Sequence, residues 1–478
     1  MTGEHVDTHQ DSQQKALRIN QDSRRFGAFA EIGAGQEVVR WFFQAGGASK
    51  TVAKSISAYD MSASDDLYGP TQRYVSRERL KAMLDREYGQ IIERSNAKRG
   101  DTTAFFVFAD TVSTRTAASQ NPAQRPEGQA WLGIKFQDEP KALPSEMIVH
   151  ARLFDTTSTA EQEAIGILGV NLCYGAFCHH GEPQVLISTL LDSLSRRRVE
   201  VDMIKLSGPA FGGVDNRLMS LQLIEQGLTD ATMFTAQGEV VQPAEVLYQK
   251  PVLIERGSFR PVTNVTLGIL DHALRQLRAD PQTAGQEPVE VFEMTLNNLM
   301  SGPEVDHADF LARVDVLGSL DKMVMVSNFT RFDRVSSFLR RQTQNWIAMA
   351  VGVPTLQMIF EEKYYSELDG GIREGLGLLF GRLVKLLVYP AEEGTGGAIA
   401  TAEGLEVAPR LRHLYSYLYE NGFIQPIRDF DASQLNALPE DVLALIQSGD
   451  PTWEQMVPAQ AAAVIRREKL FGCKESLK

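Results

Sequence analysis

Cysteine is scarce: 478 residues contain only Cys173, Cys178 and Cys473. The count is odd and no two are spaced as CxxC, which argues against a disulfide framework and for the cytosol. Long apolar runs are missing too. No stretch reaches the ~18 uninterrupted apolar residues that suggest a membrane-spanning helix. The most apolar segment, Ala164 to Phe177, is too short and contains Asn171. Residues 1–25 are polar and charged without an apolar centre, so no secretory signal peptide and no membrane partner are expected. There is no excess of basic residues. Lys and Arg number 48 against 61 Asp and Glu, a formal net charge of −13, which lacks the electrostatic footprint of a nucleic-acid binder. The basic run Arg196-Arg197-Arg198 reads as a solvated helix end.

Catalytic and metal signatures are absent as well. There is no HExxH, GxSxG elbow or papain-type cysteine motif. His179 and His180 are adjacent and cannot share one helix face as an i, i+4 pair does, so no metal site is expected. The acidic loop Asp60, Asp65, Asp66 lacks the EF-hand pattern. No cofactor can be named.

What is present is a composition able to build a large core: 43% of residues are hydrophobic. Residues 1–22 read as a disordered polar tail and 23–145 as an α+β segment. Residues 146–430 read as an α/β core domain, and 431–478 as a C-terminal helical appendage. Residues 46–73 show no clear periodicity and read as a long loop with at most one short helix. Ser76 is placed to cap a helix whose apolar face holds Leu80, Met83, Leu84 and Ile91. Residues 113–128 read as a flexible loop, and Gly394 to Gly397 as a Gly-rich turn.

From residue 147 onward, strand and helix alternate. Strands are expected at 147–153, 201–206, 231–235, 251–255, 289–294, 322–326, 346–351 and 384–388. Helices are expected at 160–176, 184–195, 214–226, 266–278, 307–319, 331–341 and 372–382. Short apolar runs separated by helices indicate a mostly parallel sheet buried on both faces. A (βα)8-like barrel is preferred over a doubly wound open sheet, which fits the same string.

In either architecture, ligands bind at the carboxyl ends of strands. After strand 201–206 comes Ser207-Gly208-Pro209-Ala210-Phe211-Gly212-Gly213, then Val214-Asp215-Asn216-Arg217. Ser207, Gly208, Gly212, Gly213, Asn216 and Arg217 could cradle an anion at a helix N-terminus; the plainer reading is a tight turn with Asp215 capping the helix. After strand 251–255, Arg256, Ser258 and Arg260 suit a phosphate or carboxylate, or a salt-bridge network. Ser327 and Asn328, after strand 322–326, could orient a ligand or cap the next helix. Gly33-Ala34-Gly35 before the helix bearing Trp41 is a weak GxG. Asp110 and Glu293 are candidate acid and base if they face one cleft.

Several segments, in order, resemble an uncharacterised family of bacterial proteins. They include Phe29-Ala30-Glu31-Ile32-Gly33-Ala34-Gly35-Gln36-Glu37, Ser57-Ala58-Tyr59-Asp60-Met61 and Phe108-Ala109-Asp110-Thr111. Further on come Ser207-Gly208-Pro209-Ala210-Phe211, Glu255-Arg256-Gly257-Ser258-Phe259-Arg260-Pro261 and Glu361-Glu362-Lys363-Tyr364-Tyr365. Members have been labelled TonB-dependent receptor or nicotinate-nucleotide adenylyltransferase, and the resemblance implies no established activity. Neither label fits these residues. No signal peptide or pattern of outer-membrane strands is seen, and His179-His180-Gly181-Glu182 is not an HxGH nucleotide motif.

Two functions follow as expectations. One is an enzyme acting on a phosphorylated or otherwise anionic small molecule, bound by the Arg217 and Arg256 turns. The other is a non-catalytic binding or assembly protein on an enzyme-like α/β fold, with Tyr364, Tyr365, Tyr415 and Tyr419 as interface aromatics.

Overall fold

The computed structural model describes residues 11–115, 127–393, 398–430 and 439–474. The chain divides into two units, Met1–Asp230 and Ala231–Lys478. The expected boundary near residue 145 is not seen. The strand beginning there pairs residue for residue with the one before it, in the middle of a sheet.

In the first unit, α1 (Ser12–Gln21) precedes β1 (Arg25–Ile32), α2 (Glu37–Ala45), β2 (Val52–Ser57), α3 (Met61–Tyr68) and α4 (Arg77–Arg99). Then come β3 (Ala104–Ser113), β4 (Gly128–Phe136), β5 (Ser145–Leu153), α5 (Ser158–Cys178), α6 (Pro183–Ser188), β6 (Val199–Ser207) and α7 (Asn216–Glu225). The strands form one sheet in the order β2-β1-β3-β4-β5-β6. The first three are parallel and the rest antiparallel. One face carries a core of Phe29, Phe106, Phe108, Leu132 and Val149 against α2 and α5.

Two expectations are corrected here. Residues 12–21 were read as part of a tail, yet they form α1. Asp11 caps it by accepting from the Gln14 N–H, and Ala16 and Ile19 enter the core. Residues 46–73 hold the one short helix allowed for, α3, and also a strand that was not expected, β2. β2 escapes notice because Val52-Ala53-Lys54-Ser55-Ile56-Ser57 has no buried position to reveal a period. Ser76 caps α4 as expected, accepting from the Arg79 N–H at 3.2 Å. Residues 1–10 and 116–126, most of the expected tail start and flexible loop, lie outside the described residues.

α5 is apolar nearly all round and buried over most of its length, as a core helix should be. Its polar interruption has a purpose. Asn171 donates to the carbonyls of Leu190 and Asp192 and accepts from Lys15 Nζ at 2.8 Å. Lys15 also meets Asp192 at 2.6 Å, with both side chains buried. Burial pulls the Lys15 pKa below the usual ammonium value, against the pull of Asp192. A desolvated ion pair thus joins Ala16 and Ile19 in holding α1 to the core.

The second unit begins with β7 (Ala231–Phe234), β8 (Val240–Val241), α8 (Pro243–Leu247), β9 (Val252–Arg256), α9 (Asn264–Ala279), β10 (Val289–Thr295) and α10 (Leu296–Leu299). A small hairpin, β11 (Met300–Ser301) and β12 (Glu304–Val305), leads to α11 (His307–Gly318), β13 (Met323–Ser327), α12 (Phe332–Gln342), β14 (Ile347–Gly352) and α13 (Val353–Ile359). α14 (Gly371–Leu379), β15 (Val384–Tyr389), a second hairpin of β16 (Ala391–Glu393) and β17 (Ala398–Ala400), α15 (Arg412–Glu420) and β18 (Ile424–Pro426) follow. α16 (Pro439–Ser448) and α17 (Ala459–Glu468) complete it. The main sheet runs β18-β15-β14-β9-β10-β13-β7-β8. Six neighbours from β18 to β13 are parallel, and β7 and β8 close one edge antiparallel.

The mixed α/β class, with mostly parallel strands alternating with helices, is what the protein has. Among the described residues no pairing joins the ends of either sheet, so no closed barrel is seen, and the strand order of the second sheet follows the doubly wound alternative. The physical reason lies in the crossovers. From β9 the chain adds β10 and β13 on one side, then returns to add β14, β15 and β18 on the other. That reversal makes a doubly wound sheet with a topological switch point between β9 and β14. α16 and α17, expected as an appendage, fall within the second unit, where α17 packs on α11.

Lys15→Ala removes the buried cation beside Asp192 and should cost about 3–5 kcal/mol, read by urea denaturation. Lys15→Arg, which restores the charge, should recover part of that loss.

Candidate functional site

The parallel sheet of the second unit places three of the sequence-selected side chains together. Arg256 ends β9, Glu293 lies near the end of β10 and Ser327 ends β13, and β10 pairs with both neighbours. Arg256 forks onto Glu293 through Nε at 3.0 Å and a terminal nitrogen at 2.8 Å. Ser327 Oγ donates to the same carboxylate at 2.6 Å and accepts from the Phe329 N–H. The Arg256 guanidinium also lies 4.6 Å from the Phe332 ring centre. Glu293 and Ser327 are fully buried. A bidentate pair satisfies both partners, so this cluster is a closed ionic knot at the carboxyl edge.

The turn after β9 is filled from within. Phe259 takes φ +48° and buries its ring 4.7 Å from Phe292. A Cβ on Gly257 would meet that ring at 2.9 Å, so glycine is needed to let it in. Arg313 donates to the carbonyls of Ser258 and Asn298 at 2.8 and 2.7 Å and pairs with Asp309. Arg260 pairs with Asp309 at 2.6 Å. Neither arginine is left to face a ligand alone. Asn328 is exposed, and the helix after it is capped by Arg331 without a side-chain bond. On the other face of β9, burial pushes the Glu255 carboxyl well above its usual pKa, with Asp271 adding to it.

In the first unit, the Ser207–Arg217 turn follows the plainer reading. Asp215 caps α7, accepting from the Arg217 N–H at 2.9 Å, and its carboxylate holds the Arg217 guanidinium at 2.7 Å. Asn216 imitates a strand neighbour: it accepts from the Leu206 N–H at 2.7 Å and donates to the Leu206 carbonyl at 3.0 Å. Gly208 and Gly213 adopt positive φ. A Cβ on Gly208 would lie 2.6 Å from Ser145. Phe211 plugs the turn into the core, while Ser207, Gly212 and Gly213 are exposed.

Asp110 and Glu293 belong to different units, and each has its own surroundings. The neighbour of Asp110 is Glu31, which the sequence reading did not select. The two are register partners on β1 and β3, at the point where the strand order of this sheet reverses. Both are fully buried. Glu31 accepts from the Val38 and Val39 N–H groups of α2 at 2.8 and 3.2 Å. The Asp110 oxygens make no hydrogen bond of normal geometry, although the Ile32 N–H favours its ionised form slightly. Burial raises both carboxyls, and the Glu31 charge raises Asp110 further. Glu31 is pushed up to about 7, and Asp110 stands well above its usual value. Two N–H donors favour the Glu31 anion, so Asp110 keeps its proton longer. Glu37 adds to the rise of Glu31, and the buried Cys173 thiol is raised by burial and by Glu31. The turn that follows is tight: Gly33 has φ +92°, and a Cβ there would collide with the Val112 carbonyl. The one signal in the sequence was a carboxylate inside the apolar run Ala28–Ile32.

Among the described residues no group of three or more His, Cys, Asp or Glu is arranged to hold a metal, and no helix is long and apolar enough to cross a membrane.

No protein-family model matches the chain, and no curated protein matches it. Partial likenesses to solved structures exist. The competence/damage-inducible protein CihA from Agrobacterium tumefaciens is 19% identical, over 34% of this chain and 94% of that one, with a TM-score of 0.26. The competence or damage-inducible protein from Enterobacter asburiae is 10% identical, over 34% of this chain and 95% of that one, also at 0.26. The competence-damaged protein (CinA) superfamily protein from Enterobacter cloacae is 10% identical, over 37% and 98%, at 0.26. Scores this low carry no inference about activity.

A carboxyl pair that holds a proton in the folded state but not in the unfolded one makes stability fall with rising pH. The fall should begin above the ordinary carboxylate range and continue through about pH 7, where Glu31 ionises. Asp110→Asn removes the repulsion. Its urea midpoint, relative to the parent, should rise more at pH 8 than at pH 5.

Proposed function

We propose that this chain is a non-catalytic binding or assembly protein built on an enzyme-like α/β fold, and that it works in the cytosol. The reading is carried by one observation. Arg217, Arg256 and Arg260, the cations an anionic substrate would need, are each paired with a carboxylate of the chain itself. An anion arriving at these turns must displace Asp215, Glu293 or Asp309. Stripping a buried carboxylate such as Glu293 of its cation costs several kcal/mol. Phe259, buried against Phe292, occupies the β9 turn where a doubly wound sheet would admit a phosphate.

Concave surface is found elsewhere, in a groove of about 830 Å3 between α14 and the segment around α15. That volume lies within the range of binding sites. Of the aromatics picked from the sequence, Tyr365 and Tyr415 are core residues, Tyr419 is half-buried and Tyr364 is exposed; Tyr417, which was not picked, is exposed too. The three cysteines are free thiols, in keeping with a reducing compartment.

A thermal-shift screen of the purified protein tests this reading. Nucleotides, sugar phosphates, inorganic phosphate and divalent metals should leave Tm unchanged, because a ligand bound only by the folded state would raise it. A shift that disappears in Arg217→Ala or Arg260→Ala would overturn it in favour of an anion-binding enzyme.

A further inference from the structure

A pocket of about 370 Å3 lies at the amino edge of the second sheet, lined by Arg340, Thr343, Gln344, Asn345, Arg382 and Leu383. These residues close α12 and lead into β14 and β15, which are parallel neighbours. The chain already uses two of them. Thr343 Oγ1 donates to the Lys250 carbonyl at 2.7 Å and accepts from the Asn345 N–H at 3.1 Å. The Asn345 amide donates to the Gln249 carbonyl at 3.0 Å and its oxygen accepts from the Trp346 N–H at 2.8 Å. What remains is two guanidiniums and the exposed Gln344 amide. No carboxylate lines the pocket.

Arg340 is set apart from the other arginines. Five of them, Arg25, Arg79, Arg115, Arg313 and Arg340, have an Nε sealed from water without a hydrogen bond. Four of the five still meet a carbonyl or carboxylate of the chain: Gln137, Asp65, Glu161 and Asp309. Arg340 makes no hydrogen bond and no ion pair among the described residues. Arg382 is exposed and makes no ion pair among them either. An arginine at a helix end ordinarily serves the last carbonyls. Here Ser336 Oγ supplies the Leu379 carbonyl at 2.9 Å, and Arg340 stays unused.

Gly381 supplies an independent observation. Its φ lies outside the left-handed region, so its backbone does not require glycine. A Cβ there would lie 1.7 Å from Arg340 Nη1. Glycine is what lets the guanidinium lie across this turn, beside the pocket.

Two guanidiniums without a carboxylate select an oxyanion. The helices set its charge. α12 and α14 both end beside the pocket, and helix C-termini carry partial negative charge. They penalise a second negative charge on the ligand, which favours a carboxylate over a phosphate dianion.

We propose that this pocket binds a carboxylate, gripped by Arg340 and Arg382. This rests on the binding-protein reading and names the chemistry that such a protein would hold. The carboxylate arrives as a free acid or as an acidic side chain of a partner.

The test uses the full chain, a labelled peptide alternating glutamate and serine, and its glutamine twin. Fluorescence anisotropy at low salt should show the glutamate peptide binding at least ~10-fold more tightly. Arg340→Gln and Arg382→Gln should each remove most of that difference. Arg334→Gln, an equal charge change at an exposed position of α12, should not. Gly381→Ala keeps both arginines but pushes the Arg340 guanidinium aside, so it should weaken the glutamate peptide at least ~10-fold at unchanged net charge. Tm identifies a variant that fails to fold, and exposed Arg382 keeps one safe substitution available. Propionate replacing chloride at equal ionic strength separates the sources. A rise in Tm lost in Arg340→Gln assigns the pocket to free acids. No rise, with the glutamate peptide bound, assigns it to a partner's side chain. Equal binding of both peptides without a propionate shift overturns the proposal. So does a preference that survives Gly381→Ala and Arg382→Gln. A phosphate shift lost in Arg340→Gln overturns the choice of carboxylate. Failure of the binding-protein reading has a different sign, a shift lost in Arg217→Ala or Arg260→Ala.

Discussion

A charge taken out of water must be answered inside the protein, and this constraint shapes both units. Desolvating an ion costs several kcal/mol unless a partner and further hydrogen bonds compensate it. Lys15 is answered by Asp192 and Asn171, Glu293 by Arg256 and Ser327, and Arg313 by Asp309 and two carbonyls. The Lys15 and Glu293 pairs tie together elements far apart in sequence, and Arg313, paired within α11, reaches the turn after β9 through the Ser258 carbonyl. The same neutralisation removes from the carboxyl edges the bare positive charge that an anionic ligand would seek. Structural economy and ligand readiness compete for the same arginines, and here structure holds them.

The exception is instructive. Glu31 and Asp110 are like charges side by side, and they are answered by a proton and by the first N–H groups of α2. A helix N-terminus stabilises one anion and not two. The pair therefore sits at the point of reversal of the first sheet as a neutralised acid beside a capped base, beneath a turn that only glycine can make at residue 33.

Much of the fold was legible in the sequence. The strands at 289–294 and 384–388 were within a residue of β10 and β15, because apolar runs bounded by turns are what doubly covered parallel strands require. Strand order was not legible. A barrel and an open sheet read identically along the chain, and the reversal at β9 is decided by the side to which each crossover packs. β2 was missed because its exposure follows no period of two. α1 was missed because Lys15, Ser12 and Asn20 are polar yet buried. Of the candidate site, the sequence named Arg256, Glu293 and Ser327 singly. It could not show that residues 37 and 34 positions apart in the chain satisfy one another, which turns ligand candidates into a closed knot. Asp215 as a cap was readable because a short carboxylate before a helical run has a local geometry that needs no tertiary partner.

The protonated Asp110 has a thermodynamic consequence of its own. A carboxyl that is neutral when folded and ionised when unfolded makes folding of the first unit a proton-binding reaction near neutral pH. The solvent's buffer is then a reactant. The heat taken up on unfolding contains the ionisation enthalpy of whichever buffer accepts the released proton, and it changes when one buffer is exchanged for another at constant pH.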